Sequence, residues 1–264
     1  MDLKSKVIVI TGASRGLGAA MAEQLAAKKC QLALIDLDED SLQTTKAACL
    51  AAGAERVEVY SANVAKEGDV IETMQKVAAD FGALHGLINN AGITRDGLTL
   101  KYKDGELVSE MALDQWQAVI DVNLTGVFLC GREAAKQMIA LGCQGCIINI
   151  SSISRHGNMG QANYSATKAG VQALAVVWAK EFARYGIRAA SIAPGFIATE
   201  MVMSMKPEAR SSSAFRGSAV SRAMAPPSAL IASTGAPLQG SAPPAMRRCS
   251  RVVASQTAKE RYAG

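Results

Sequence analysis

The chain has 264 residues, enough for one α/β domain with a single large core. Apolar residues make up 49% and charged residues 19%, which excludes global disorder. The longest uncharged apolar runs, such as Val7–Ile10, are strand-length and exclude a membrane-spanning helix. That run follows Lys4 and Lys6 but is too short for a signal-peptide core, so a soluble cytoplasmic protein is expected. The formal net charge of +5 would invite a nucleic-acid or anionic-surface partner. It is unevenly placed, however. Residues 1–210 carry 21 basic and 22 acidic residues, a net of −1, whereas residues 211–264 carry 7 basic residues and only Glu260, a net of +6.

Along the first 200 residues, short β-rich runs alternate with longer helix-like runs, as in a parallel sheet built from βαβ units. Lys6–Thr11 reads as the first strand and Gly16–Lys29 as the following helix. Gln31–Asp36 is a second strand, with a helix near Ser41–Ala52; Arg56–Val64 is a third, with a helix around Glu67–Phe81. Leu84–Asn89 is a fourth strand. After a loop, Asp114–Leu141 is long enough for an extended helix, and Cys146–Ile150 forms the fifth strand. Val171, Leu174, Ala175, Trp178 and Phe182 recur at helical spacing between Tyr164 and Tyr185, and Ile187–Ala193 is a sixth strand. Short right-handed crossovers make this a Rossmann-type doubly wound sheet flanked by helices. The tail from Ser211 keeps no period, holds five of the seven prolines, and reads as poorly ordered.

Thr11-Gly12-Ala13-Ser14-Arg15-Gly16-Leu17-Gly18 lies between the first strand and the first helix. Its glycines permit a tight turn that lets backbone approach a pyrophosphate, and the helix N-terminus offers N–H groups and a positive dipole end. A glycine cluster also suits a plain βα turn; its place in a βαβ unit points to a dinucleotide. Asp36 closes the second strand 18 residues beyond Gly18, where an acid can accept hydrogen bonds from ribose hydroxyls. Asp38, Glu39 and Asp40 repel a 2′-phosphate, whereas Arg15 could pair with one. The acid at the strand end outweighs the arginine, so NAD(H) is preferred, with NADP(H) as the alternative.

Tyr164 and Lys168 stand four residues apart, on one face of a helix. A nearby ammonium favours tyrosinate and so lowers the phenol's pKa, which suits a group exchanging a proton with a carbonyl or alcohol oxygen. Alone, such a pair is ordinary surface decoration.

Taken together, these features resemble the short-chain dehydrogenase/reductase family over roughly residues 5–206. The resemblance is carried by Thr11–Gly18, Asn89-Asn90-Ala91-Gly92, Val122-Asn123-Leu124, Ser151-Ser152, Tyr164 with Lys168, and Pro194-Gly195. Ile93-Thr94-Arg95-Asp96, Gly160-Gln161-Ala162-Asn163-Tyr164 and Pro194–Met201 resemble its 3-oxoacyl-[acyl-carrier-protein] reductase subgroup. The resemblance implies interconversion of a ketone and a secondary alcohol by hydride transfer, with a small-molecule or acyl-thioester substrate. It implies Tyr164 as general acid, Lys168 on the nicotinamide ribose, a serine on the substrate oxygen, and Asn123 holding a water. Gly12, Ser14, Arg15, Gly16, Leu17, Gly18, Asp36, Asn63, Val64, Asn90, Ala91 and Gly92 are the implied cofactor contacts. Pro194, Gly195, Ile197 and Thr199 complete them around the nicotinamide. A homo-oligomer, tetramer or dimer, is typical of such proteins.

The serine is open to two readings. Counting back from Tyr164 by the family's interval gives Ser151; aligning the strand Ile147–Ile150 gives Ser152, with the loop one residue shorter. Strand geometry fixes side-chain direction and loops absorb deletions, so Ser152 is preferred. Asn63 stands where many relatives have Asp, and Lys101–Asp114 is longer than in typical acyl-carrier-protein reductases.

Six cysteines and two histidines, with Cys143 and Cys146 as a lone pair at ligand spacing, give no metal site. Arg247-Arg248 is too small a basic cluster for nucleic acid. The resemblance stops soon after Glu208, and the last family strand is expected to be missing. The sudden Ala/Ser/Pro/Arg bias reads as translation in a shifted frame of GC-rich DNA, an expectation that resequencing across codon 210 checks. Its functional counterpart is a catalytically impaired remnant or simple dinucleotide-binding protein.

Overall fold

In the computed structural model, residues 2–195 and Ile197 are described. Six parallel strands form one sheet: β1 (Val7–Thr11), β2 (Gln31–Asp36), β3 (Arg56–Ser61), β4 (Gly86–Asn89), β7 (Gly145–Ile150) and β8 (Ile187–Ile192). Their spatial order is β3-β2-β1-β4-β7-β8, so the winding reverses between β1 and β4. In sheets of this kind the crevice at the C-terminal ends of the strands, at that reversal, receives the ligand. The six strands expected from the sequence are all present: β2 has the expected bounds, and each of the others differs at one end by one to three residues.

The strands alternate their side chains between two cores, as a pleated backbone requires. Val9, Ala33, Ile35 and Ile147 face one core, with Val70, Met74 and Val77 of α3 (Glu67–Phe81). Leu129, Ala134 and Met138 of α5 (Gly126–Ala140) and Val171 and Trp178 of α6 (Ala162–Glu181) complete it. Ile8, Ile10, Leu32 and Leu34 face the other core, with Ala22 and Ala26 of α1 (Gly16–Ala26) and Leu42 and Cys49 of α2 (Glu39–Ala51). Burial on both faces explains why β1 and β2 read as apolar runs rather than alternating ones. The helical stripe through Val171 and Trp178 is therefore core, and Trp178 packs directly over Gly131 of α5.

The expected extended helix over Asp114–Leu141 is interrupted. It is built from α4 (Leu113–Ile120), a π-turn at Asp121–Thr125, and α5. One wide turn in a helix rotates the side chains beyond it, and this one carries the buried Asn123.

The loop before it also differs from expectation. Leu100–Lys103 (β5) and Glu106–Glu110 (β6) pair as an antiparallel hairpin with an irregularity at Lys101/Tyr102. Its two-residue turn, Asp104-Gly105, has φ of 54° and 86°, the primed geometry that matches strand twist and favours Asp-Gly. That dipeptide between two alternating runs is the signal missed in the sequence. Both strands are exposed throughout.

No helix among the described residues is long and apolar enough to cross a membrane. The expected loss of the last strand and the poorly ordered tail lie outside the described residues, as does Thr199.

Candidate active site

The turn from β1 into α1 is shaped by close backbone approach. Gly12 adopts φ +65°, and a Cβ there would sit 2.7 Å from Ala91 Cα. A Cβ on Gly18 would collide with the Gly12 carbonyl oxygen and lie 2.7 Å from Asn90 Nδ2. Asn90 locks this turn by donating its amide to the carbonyls of Thr11 (3.1 Å) and Gly12 (2.9 Å). The Thr11 hydroxyl in turn accepts from the backbone N–H groups of Asn90 and Ala91, both at 3.1 Å. Asn90 and Ala91 thus brace the glycine turn, a role the motif pattern alone does not reveal.

α1 begins at Gly16 with no side-chain cap from Arg15 and no acid in its first turn. Its first N–H groups are orphans that an anion can satisfy, and the dipole favours that charge. Leu17 is partly buried behind this turn and Arg15 is exposed. Asp36 ends β2 beside the same turn. One carboxylate oxygen accepts from Ser14 N–H at 3.0 Å and the other from Leu37 N–H at 2.8 Å. These two hydrogen bonds fix the acid at the mouth of the turn. A dinucleotide fits these residues: glycines where backbone must approach, unused N–H groups for phosphates, and a pinned carboxylate for a ribose.

Asn63 and Val64 lie just beyond β3. The Asn63 side-chain oxygen accepts from Ala65 N–H at 3.0 Å, and its own N–H donates to Asp69 at 3.1 Å, forming the entry to α3. Val64 is buried against Gly126.

A second constellation gathers at the C-terminal ends of β4 and β7. The Lys168 ammonium is buried and donates to the Ile150 carbonyl at 2.8 Å. It lies 5.4 Å from the centroid of the Tyr164 ring, and burial lowers its pKa to about 8. Asn123 is fully buried on the π-turn, donating to Ile93 O at 2.9 Å and accepting from Ile93 N–H at 2.8 Å. A Cβ added to Gly92 would meet both Asn123 Oδ1 (3.3 Å) and Lys168 Nζ (3.7 Å), so these three residues converge.

The expectation that Lys168 lowers the Tyr164 pKa is not met. Burial raises it, hydrogen bonding from Ser152 works the other way, and the negative charge of Asp96 raises it further. Lys168 offers its charge to the ring and to a main-chain carbonyl, while the phenol itself is desolvated.

The two serines have different surroundings. Ser151 is buried and donates its hydroxyl to the Lys168 carbonyl at 2.6 Å, a structural tie between β7 and α6. Ser152 is turned toward the Tyr164 phenol, and its hydroxyl accepts from Ser154 N–H at 3.1 Å. Pro194 reaches this region from β8 by accepting from Ile153 N–H at 3.2 Å, whereas Gly195 is exposed and Ile197 partly buried. No metal-binding cluster of three or more His, Cys, Asp or Glu occurs among the described residues.

Several polar residues here are absent from the expected set. Asn163 is fully buried, and its oxygen accepts from Tyr164 N–H at 2.7 Å. Gln161 is buried and donates to Asp96 at 2.9 Å. Both flank Tyr164 in the segment used above only as a subgroup marker.

The arrangement has counterparts among known proteins. The family profile described as "short chain dehydrogenase" matches residues 6–210. A 3-oxoacyl-[acyl-carrier-protein] reductase of Synechocystis is 42% identical over 209 residues, covering 78% of this chain and 80% of its own. A (3R)-3-hydroxyacyl-CoA dehydrogenase of dog is 38% identical, covering 76% and 77%. The crystal structure of NAD+-bound xylitol dehydrogenase has a TM-score of 0.67 at 29% identity, covering 75% and 73%. With a matched profile spanning both constellations, the chain belongs to the short-chain dehydrogenase family of oxidoreductases.

Proposed function

We propose that this protein is an NAD(P)-dependent reductase that interconverts a ketone and a secondary alcohol, with a 3-oxoacyl thioester as the substrate class. The observation that carries the reading is the convergence of Tyr164, Ser152, Lys168 and Asn123 at the strand ends beside the glycine turn. The 3-oxoacyl thioester is supported by the names of two relatives, a 3-oxoacyl-[acyl-carrier-protein] reductase and a 3-hydroxyacyl-CoA dehydrogenase.

When bound, the nicotinamide supplies or receives the hydride. The protein's own groups hold the carbonyl in place and deliver the proton. Ser152 orients the substrate oxygen toward Tyr164, and the phenol donates its proton to that oxygen. A desolvated phenol keeps its proton at neutral pH, the state a donor in ketone reduction needs. Lys168 sits against the ring and Asn123 fixes the loop behind it. The pinned Asp36 supports NAD(H), with NADP(H) as the alternative.

The test is cofactor oxidation with an acetoacetyl thioester, run in parallel with NADH and NADPH. Turnover is expected, faster with NADH. A clear preference for NADPH overturns the weight placed on Asp36, and no turnover with either overturns the reductase. The serines separate in the same assay. Ser152→Ala is expected to lower kcat with native melting behaviour, while Ser151→Ala lowers the melting temperature because it removes the buried hydrogen bond that ties the end of β7 to α6.

A second reading has its own observation. Residues 211–264 lie outside the family match and carry the net +6. Cofactor binding without turnover would favour a non-catalytic dinucleotide-binding protein.

A further inference from the structure

The buried face of α2 carries Leu42, Thr45 and Cys49 at helical spacing. Leu42 and Cys49 belong to the core shared with Leu32 and Leu34, yet a hydroxyl stands between them. Thr45 is 3% exposed, and a buried hydroxyl without a hydrogen bond is costly. A threonine inside a helix can satisfy itself on a carbonyl of the preceding turn. Thr45 instead reaches out of its helix and donates Oγ1 to the Ser14 carbonyl at 3.1 Å, 31 residues away in the chain. Ser14 N–H donates to the Asp36 carboxylate at 3.0 Å, and Ala13 N–H to the Ile35 carbonyl at 3.2 Å. The main chain is therefore tied to β2 before the Ser14 Cα and to α2 after it. Directly beyond come Arg15, in extended conformation, and Gly16 at φ +57°, which opens α1. The direction of the first N–H groups of α1 is thus set from the Ser14 peptide onward.

We propose that Thr45 is a positioning residue for the dinucleotide: through the Ser14 carbonyl it holds the glycine turn in the form that aims the first N–H groups of α1 at the pyrophosphate. The inference rests on the reading of that turn as the dinucleotide site. Thr45 is buried, so it acts through Ser14 rather than on the ligand. The same tie keeps Ser14 N–H against Asp36, so the pyrophosphate and ribose parts of the site share one support. Asn90 braces the turn at Thr11 and Gly12; Thr45 braces it at the other end, where the anion is received. A turn released from this tie samples other forms, and its affinity falls by the fraction that remains competent to bind.

Thr45→Val keeps the branched shape and nearly the same helix propensity but deletes the hydroxyl. Thr45→Ser keeps the hydroxyl and deletes the methyl. NADH is titrated by its fluorescence and ADP-ribose by calorimetry, with NADPH in parallel, well below the melting temperature of each protein. T45V is expected to weaken NADH binding by about 3- to 10-fold, what one net hydrogen bond is worth. ADP-ribose, which carries the pyrophosphate but no nicotinamide, should weaken by the same factor, and T45S should bind as the unsubstituted protein does. In turnover, the KM for the dinucleotide should rise while that for the thioester holds. Native NADH affinity in T45V overturns the proposal, as does a loss that T45S shows equally. A loss confined to NADH also overturns it, because the effect would then lie at the nicotinamide. Should T45V fail to fold, Thr45→Ala against T45S isolates the same hydroxyl, and equal affinities overturn the proposal. Affinity is read without turnover. An inactive enzyme whose T45V form binds more weakly therefore sinks the reductase reading alone, and an active T45V with native affinity sinks the role of Thr45 alone. No binding of either dinucleotide by the unsubstituted protein removes both.

Discussion

Tyr164→Phe is expected to lower kcat/KM for ketone reduction by about 10²- to 10⁴-fold, the usual worth of a positioned acid. The substitution deletes one oxygen and leaves the ring, so packing over Lys168 is kept. Nothing else in the described site replaces the lost proton. Lys168 is committed to the Ile150 carbonyl and Ser151 to the Lys168 carbonyl. Dinucleotide binding, followed by quenching or enhancement of nicotinamide fluorescence, is expected to persist because the glycine turn lies on β1 and α1. Turnover equal to that of the unsubstituted protein would remove Tyr164 from the mechanism.

Gly18→Ala is expected to abolish dinucleotide binding and to destabilise the fold by about 1–3 kcal/mol, the range for overpacking. The new methyl would collide with the Gly12 carbonyl oxygen and press on Asn90 Nδ2. Neither can yield easily, because Gly12 already sits at φ +65° and Asn90 is the brace that holds it there. Gly68→Ala is the matched control. A Cβ at Gly68, in the first turn of α3, meets nothing within 4 Å, and replacing glycine in a helix stabilises by about 0.4–1 kcal/mol. Thermal melts and fluorescence titration of both variants check the pair; binding by Gly18→Ala at native affinity would contradict the geometry.

How well the sequence foretold each part follows from the range of the interactions concerned. β1 and β2 were legible because a strand buried on both faces must be apolar along its length. The glycine turn was legible because close backbone approach admits only glycine. Asn90 illustrates the limit: its motif marked it, but its task depends on carbonyls 78 and 79 residues away in the chain. The phenol's direction of titration was misjudged for a related reason. Spacing in the helix gives the nearness of Lys168, whereas burial is set by the whole surrounding fold. The π-turn at Asn123 left no mark, because one extra residue in a helical turn changes no composition or period strongly enough to read. Ser151 and Ser152 have different surroundings because adjacent residues at a strand end point to opposite sides.

The Asp104-Gly105 hairpin offers a practical opening. Its strands are exposed and its tip is a two-residue turn, the kind of site where inserted sequence is best tolerated. A fluorophore or affinity handle placed there is carried on a self-paired ribbon whose far end returns to α4. The label would report on the loop holding Asp96 while the glycine turn, on the opposite side of the β1–β4 reversal, stays unmodified. The hairpin thus makes the protein easier to instrument.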